Sequence, residues 1–187
     1  MKHSFYTRFK NVMLRPIEEK DLELLREWRN DPEISTEFLT KLDYITPEKQ
    51  LEWFKRDLEN TNCYTFAICE CDQLNEIIGS VALYNFSGKQ VEFGRFLIGH
   101  QEARGKGLGV KVVCLCLFMG FTMLGANEIV AVVHEDNIAA VTVYTRAGFD
   151  IVGKRLLPDG SGHELEIMVK KNDFFGKHDF LSEIRIK

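Results

Sequence analysis

The stretch that most limits how this chain can fold begins with Val91-Glu92-Phe93-Gly94-Arg95-Phe96-Leu97-Ile98 and passes through Gly99-His100-Gln101-Glu102-Ala103. It continues into Arg104-Gly105-Lys106-Gly107-Leu108-Gly109 and an apolar run from Val110 to Leu124. Branched and aromatic residues followed by clustered glycines and a long apolar segment predict a strand that turns tightly into a core helix. The apolar run is about 15 residues against the roughly 20 that a bilayer needs, and Lys111 and Gly120 interrupt it, so it reads as buried rather than membrane-spanning. Glycines 105, 107 and 109 let the backbone approach a ligand closely, and the first amides of the following helix lack internal partners. An anion such as a pyrophosphate suits that place, and Arg104 and Lys106 add positive charge. The spacing is neither that of the nucleotide P-loop nor that of a dinucleotide fingerprint. Taken alone, the glycines also fit a plain flexible turn.

Around this segment the chain reads as alternating elements. Val12-Met13-Leu14-Arg15 is strand-like and is stopped by Pro16, and Glu18 to Arg29 carries leucines and Trp28 at helical spacing. Thr46-Pro47-Glu48 offers an N-cap, a first-turn proline and an acid for a second helix through about Leu58. Tyr64 to Cys71, Ile77 to Tyr84 and Gln90 to Ile98 read as three antiparallel strands, separated by the polar turns Asp72 to Asn75 and Asn85 to Gly88. After the apolar helix come a strand at Glu128 to Val133, a helix from about Asn137 to Ala147 closed by Gly148, and a hairpin of Asp150 to Leu157 with His163 to Lys170 around Pro158-Asp159-Gly160. The expected fold is α+β: a mixed, mostly antiparallel sheet flanked by helices on both faces, an α/β/α sandwich. One domain over residues 1–187 is expected, with 172–187 a tail whose structure the pattern does not define.

Composition excludes several classes of function. With 24 basic and 28 acidic side chains the net charge is -4, which argues against a nucleic-acid partner. No signal or transit segment is visible at Met1 to Tyr6, so a cytoplasmic location and no membrane partner are expected. The five cysteines, Cys63, Cys69, Cys71, Cys114 and Cys116, lack C-x-x-C spacing and read as buried thiols. The histidines His3, His100, His134, His163 and His178 form no ligand-like spacing, so no metal is expected.

A second constellation follows the glycine loop. Asn137, Ala140 and Tyr144 share one helical face ahead of Gly148-Phe149. Read singly, Asn137 is a good N-cap, Gly148 a good C-cap and Tyr144 a core aromatic. Taken together, Arg104 to Gly109 and Asn137 to Phe149 resemble the GNAT acetyltransferase superfamily, matching its R/Q-x-x-G-x-G/A loop and its N-x-x-A-x-x-x-Y-x-x-x-G-F segment. The element order is similar from Leu14 to Val169. Leu14-Arg15-Pro16 with Leu25 to Asn30 looks like the ribosomal-protein acetyltransferase branch. Trp28-Arg29-Asn30 with Trp53-Phe54 is similar to acetyltransferases acting on amino sugars linked to nucleotides, although both tryptophans equally suit helix packing.

The resemblance implies acetyl-CoA as co-substrate and a small-molecule amine as acceptor. Pantetheine would pair with the backbone of Phe96, Leu97 and Ile98, and pyrophosphate would rest on Arg104, Gly105, Lys106, Gly107, Leu108 and Gly109. Asn137 and Ala140 would flank the cofactor arm, and Tyr144 would be the general acid toward sulfur. Glu92 would be the base or bind the acceptor ammonium, a structural ion pair with Arg95 or Lys89 being the plainer reading, with His134 and Glu135 in reserve, and Trp28, Arg29 and Asn30 would contact the acceptor. Strand parity puts Glu92 on the face of Gly94 and Phe96. Glu33, Glu37 and Asp43 would suit a polyamine, and Arg26 and Arg29 a nucleotide sugar. A protein N-terminus, an aminoglycoside or a non-catalytic acyl-CoA module are the other readings, and the assembly state, a homodimer included, is left open.

Overall fold

The computed structural model describes all residues except 1, 2, 36–42, 158, 159, 161 and 187. The chain opens with strands β1 (Thr7–Phe9) and β2 (Val12–Pro16), then helices α1 (Leu22–Asn30), α2 (Pro32–Ser35) and α3 (Pro47–Glu59). Strands β3 (Cys63–Glu70), β4 (Glu76–Ser87) and β5 (Gln90–Ile98) lead to helix α4 (Leu108–Thr122). The remainder is β6 (Glu128–His134), α5 (Ile138–Ala147), β7 (Asp150–Leu156), β8 (His163–Lys170), α6 (Lys171–Lys177) and β9 (Arg185–Ile186).

Among the described residues nine strands join one sheet in the order β7-β8-β6-β5-β4-β3-β2-β1-β9. Only β5 and β6 pair in parallel, because α4 carries the chain back between them, and every other pair is antiparallel. The mixed, mostly antiparallel sandwich expected from the sequence is the fold found. On one face α1 and α3 bury Leu22, Leu25, Trp28 and Phe54 against Ile17, Ala67 and Leu97. On the other, α4 is apolar all round and buries Val112 to Leu117, Met119 and Phe121, as a helix covered on every side must.

Local chemistry explains several element ends. Thr46 caps α3 by accepting from the Lys49 amide at 3.3 Å, with Pro47 in the first turn. Arg15 grips the buried Asp21 with two hydrogen bonds of 2.7 and 2.8 Å, tying β2 to the start of α1. The Glu70 carboxylate organises the turn after β3, accepting from the amides of Asp72, Gln73 and Leu74 and from Asn11.

One sequence expectation needs correction, and two elements add to the pattern. The polar segment Asn85 to Gly88 is not all turn: β4 runs through Ser87, because Asn85 adopts φ 53° in a bulge that keeps the strand paired. The tail is ordered into α6, a 3-10 turn at Asp179–Glu183 and β9, and its Phe174 is fully buried against Phe121 of α4. A strand before Val12, β1, was not anticipated. Pro158 and Asp159 of the expected hairpin turn lie outside the described residues.

Candidate active site

The parallel pairing of β5 with β6 covers Gln90, Val91 and Glu92 opposite Glu128, Ile129 and Val130, and extends no further. Beyond that point β5 stays with β4 and β6 stays with β8, so the two strands splay apart. The gap is a cleft of about 690 Å³, lined by Phe93 to Ile98 on one side, Val132, Val133 and His134 on the other, and by the starts of α4 and α5.

A bulge shapes the β5 wall. Three steps along β5, from Gly94 to Leu97, match two along β4, from Ala82 to Ser80, and Arg95 takes φ 51° to accommodate the extra residue. Alternation therefore reverses within the strand. Phe93 and Phe96 both pack toward Tyr144, at 5.5 and 6.2 Å between ring centroids, whereas Leu97 joins the core under α1 and α3. The expected parity of Glu92 with Phe96 is thus overturned: Glu92 bonds to Tyr84, which reaches over Gly94, while Phe96 belongs to the opposite face.

At the far end of β5 the Arg104 Nε donates to the Ile98 carbonyl at 2.9 Å. Gly105 and Gly107 hold φ of 72° and 71°, left-handed values that side chains resist. Gly107 is the N-cap of α4, so the helix begins on the cleft wall with its unpartnered first amides and positive dipole end. Across the cleft the Asn137 Oδ1 accepts from the Ala140 amide at 2.9 Å and starts α5, and Gly148 at φ 110° ends it. Tyr144 is 9% exposed, with its ring among Phe93, Phe96 and Phe149, and burial pushes its phenol pKa up.

Where β5 and β6 part, both oxygens of Glu92 accept hydrogen bonds, one from the Tyr84 hydroxyl and one from the Asn85 amide nitrogen, each at 2.8 Å. The Arg95 guanidinium lies 4.9 Å over the Tyr84 ring and 3.6 Å from Asp57. Arg29, Glu33 and Ile34 also line the cleft. Burial and the like charge of Arg95 both disfavour the charged form of Arg29.

Of the residues singled out from sequence, Glu92, Phe96, Leu97, Ile98, Arg104, Gly105, Gly107, Leu108, Gly109, Asn137, Ala140, Tyr144 and Arg29 meet around this one cleft. Three do not. Lys106 turns to a smaller cavity of about 150 Å³ shared with Asn11, Glu70 and Lys111. Trp28 is 9% exposed and lies flat against Gly99, whose missing side chain makes room for the indole. Asn30 spends its amide on the Ile45 backbone, at 2.8 Å in both directions. Of the reserve bases His134 lines the cleft, whereas Glu135 is held by Lys154 and His163. Arg26 is engaged with Glu23, Tyr44 and Ile45, and Glu37 lies outside the described residues. Tyr84, Arg95 and Arg146 line the cleft without having been anticipated. The periodic pattern carries no mark of the bulge that brings Arg95 there, and Arg146 reads as an ordinary last-turn cation. Among the described residues no group of three or more His, Cys, Asp or Glu is placed to hold a metal ion.

The cleft thus lies between splayed parallel strands, with a glycine loop at one side and a buried tyrosine at the other. Residues 11–150 match the family described as acetyltransferase (GNAT) domain, and the chain belongs to it as an N-acetyltransferase. It is 29% identical over 132 residues to the acetyltransferase PseH of Campylobacter jejuni subsp. jejuni, covering 71% of this chain and 78% of that protein. It is 24% identical over 144 residues to the spermidine N(1)-acetyltransferase of Escherichia coli K12, covering 77% and 75%. Its fold superposes with a TM-score of 0.78 on the spermidine N-acetyltransferase of Vibrio cholerae solved in complex with CoA and spermine, at 21% identity over 89% of this chain and 99% of that one. Among the described residues no helix is long and apolar enough to cross a membrane.

Proposed function

We propose that this acetyltransferase modifies the primary amine of a small acceptor, an amino sugar carried on a nucleotide, by direct attack in a ternary complex. The observation that carries the reading is the acceptor end of the cleft. There a doubly hydrogen-bonded carboxylate, Glu92, stands where the strands part, and two guanidinium groups close enough to feel each other, Arg29 and Arg95, line the same cleft. A carboxylate suits the amine, and two neighbouring guanidinium groups on the cleft lining suit a phosphate.

The residues present fit acetyl-CoA. The edge of β5 beyond its pairing with β6 suits an extended amide-bearing arm, with Arg104 already on the Ile98 carbonyl at its end, and the amides at the start of α4 suit a pyrophosphate. When bound, acetyl-CoA supplies an activated acyl carbon and a thiolate leaving group. An aliphatic amine has a pKa of about 10 and must lose a proton before attack, and the Glu92 carboxylate receives it, directly or through water. The Tyr144 hydroxyl, kept protonated by its burial, gives a proton to the departing sulfur. Asn137 starts the helix that holds Tyr144 in place.

A polyamine acceptor is the second reading, favoured by Glu33 in the cleft lining and by the relatives named for spermidine. The five cysteines are free thiols, which supports our placing the protein in the reducing cytoplasm.

Thermal unfolding tests the co-substrate first. Acetyl-CoA at about 100 times its Kd should add about 2.7 kcal/mol, a Tm rise of about 5–10 °C, and an unrelated nucleotide should add nothing comparable. Thiol release with UDP-glucosamine and with spermidine then separates the two acceptors. Faster turnover of spermidine would overturn the nucleotide-sugar reading, and no acetyl-CoA shift would overturn the assignment of the cleft.

A further inference from the structure

The cluster around Glu92 holds more than a base needs. Tyr84 donates to Glu92 Oε1 at 2.8 Å, and it can reach because its cross-strand neighbourhood is bare: a Cβ on Gly94 would stand 2.5 Å from the Tyr84 hydroxyl. The Tyr84 ring is covered by the Arg95 guanidinium at 4.9 Å, and Arg95 is presented there by the bulge. Arg95 is held in turn from α3 and β3, with its Nη1 3.6 Å from Asp57 and 3.4 Å from the Cys63 sulfur. Asp57 also accepts from Thr65 at 2.9 Å. An ordered path therefore runs from the α3 side of the sheet to the carboxylate in the cleft.

We propose that Tyr84 is the positioning residue for Glu92, and that Gly94 and the bulged Arg95 exist to let it reach and to hold its ring. This rests on the reading of Glu92 as the group that takes the amine proton. A glutamate at a strand surface has free rotation about its side-chain bonds, and a base must sit within hydrogen-bond reach of the proton it removes. Two donors fix the carboxyl plane, and of the two Tyr84 is the half-buried one, shielded from competing water. The charged and titratable groups around it are Arg95 from β5, Asp57 from α3 and Cys63 from β3, with Arg29 from α1 and His134 from β6 on the same cleft. Burial and the Glu92 carboxylate together push the Tyr84 phenol pKa up, so Tyr84 stays a donor at neutral pH.

The test is a pair of double-mutant cycles read in kcat and in KM for acetyl-CoA, with UDP-glucosamine and spermidine as the amine probes. Tyr84→Phe keeps the ring beneath Arg95 and removes only the hydroxyl. We expect kcat to fall about tenfold or more with KM for acetyl-CoA unchanged, the size of one hydrogen bond to a charged group. Gly94→Ala should give a similar loss by pushing the hydroxyl away, and in the Tyr84→Phe background it should add much less, because the closest contact, at 2.5 Å, is with the missing oxygen and only ring carbons at 3.2 Å remain. Tyr84→Phe should likewise add nothing to Glu92→Gln. Unchanged kcat in Tyr84→Phe, or losses that multiply in either cycle, would overturn the proposal. Wild-type turnover in Glu92→Gln would instead overturn the role of Glu92, and this inference with it, whereas an impaired Glu92→Gln beside an active Tyr84→Phe overturns the inference alone. If neither amine is turned over, the acceptor reading fails and the phenol carbon resonance of Tyr84 in tyrosine-labelled protein decides the contact. Glu92→Gln and Gly94→Ala should each move that resonance, and an unmoved one refutes it.

Discussion

Replacing Gly99 with alanine is expected to cost stability and to leave acceptor recognition alone. An ideal Cβ there would stand 2.0, 2.2 and 2.5 Å from Cδ2, Cγ and Cε2 of Trp28. Non-bonded carbons settle at about 3.5–4.0 Å, so the indole or the strand must move by more than an ångström. The indole has little freedom to do so, being 9% exposed and packed among Leu25, Ile34, Phe54 and Leu97. Overpacking of this kind costs about 1–3 kcal/mol, a Tm loss of about 2–12 °C for a chain of this size. Trp28→Ala should cost about 3–5 kcal/mol through the void it leaves. The double variant should lose less than the sum, because the added methyl falls into the vacated space. Urea unfolding of the four proteins measures the cycle, and KM for UDP-glucosamine is read beside it. An undiminished midpoint in Gly99→Ala, or a Trp28→Ala protein of normal stability that binds acceptor poorly, would refute the assignment of Trp28 to the scaffold.

Tyr144→Phe should lower kcat about a hundredfold while acetyl-CoA stabilises the variant as it does the wild type. Because burial raises the phenol pKa above its ordinary value of about 10, the wild-type pH–rate profile should show no basic limb from Tyr144 below about pH 10, and a limb near pH 8 that vanishes in Tyr144→Phe would contradict this. Asn137→Ala removes the bond to the Ala140 amide and should cost about 1 kcal/mol in thermal unfolding, with weaker acetyl-CoA stabilisation as the α5 start loosens. The Leu74 amide first, then the Asn11 side chain and the amides of Asp72 and Gln73, hold the Glu70 carboxyl at about 2 in the folded protein. That lies below an unfolded value of about 4.3, so its contribution is full above that pH and is lost as pH falls toward 2. Glu70→Gln should therefore be less stable than wild type at pH 7, with the gap closing between about pH 4 and pH 2; a pH-independent gap would count against the carboxylate's role.

Elements whose ends are written in local chemistry are legible in the sequence itself. Thr46-Pro47 started α3, and Asn137 and Gly148 bounded α5, because caps act within a turn of themselves. The cleft was legible as two motifs, since glycines that must adopt left-handed backbone leave a mark that ordinary residues do not. What stayed hidden depends on partners distant in sequence. Phe174 sits among charged residues and orders α6 only because α4 has an apolar outer face to cover. Arg95 and Asn85 carry positive φ with no glycine to announce it, and a single extra residue reversed the face on which Phe96 lies relative to Glu92. Trp28 gave the same signal for packing as for binding, and only the contact with Gly99 separates the two.

The parting of β5 from β6 has a consequence for how the protein behaves at high concentration. Strand edges with free amides and carbonyls are where neighbouring molecules join into aggregates, and proteins blunt or hide them. After Glu92 and Val130 two such edges face inward, flanked by the starts of α4 and α5. A slender extended molecule can enter, whereas a strand with its own sheet behind it cannot. A copy in which α5 has come loose would uncover both edges at once. The caps at Asn137 and Gly148 therefore guard against self-association as well as holding the fold, and damage to either should be felt first as precipitation on gentle warming.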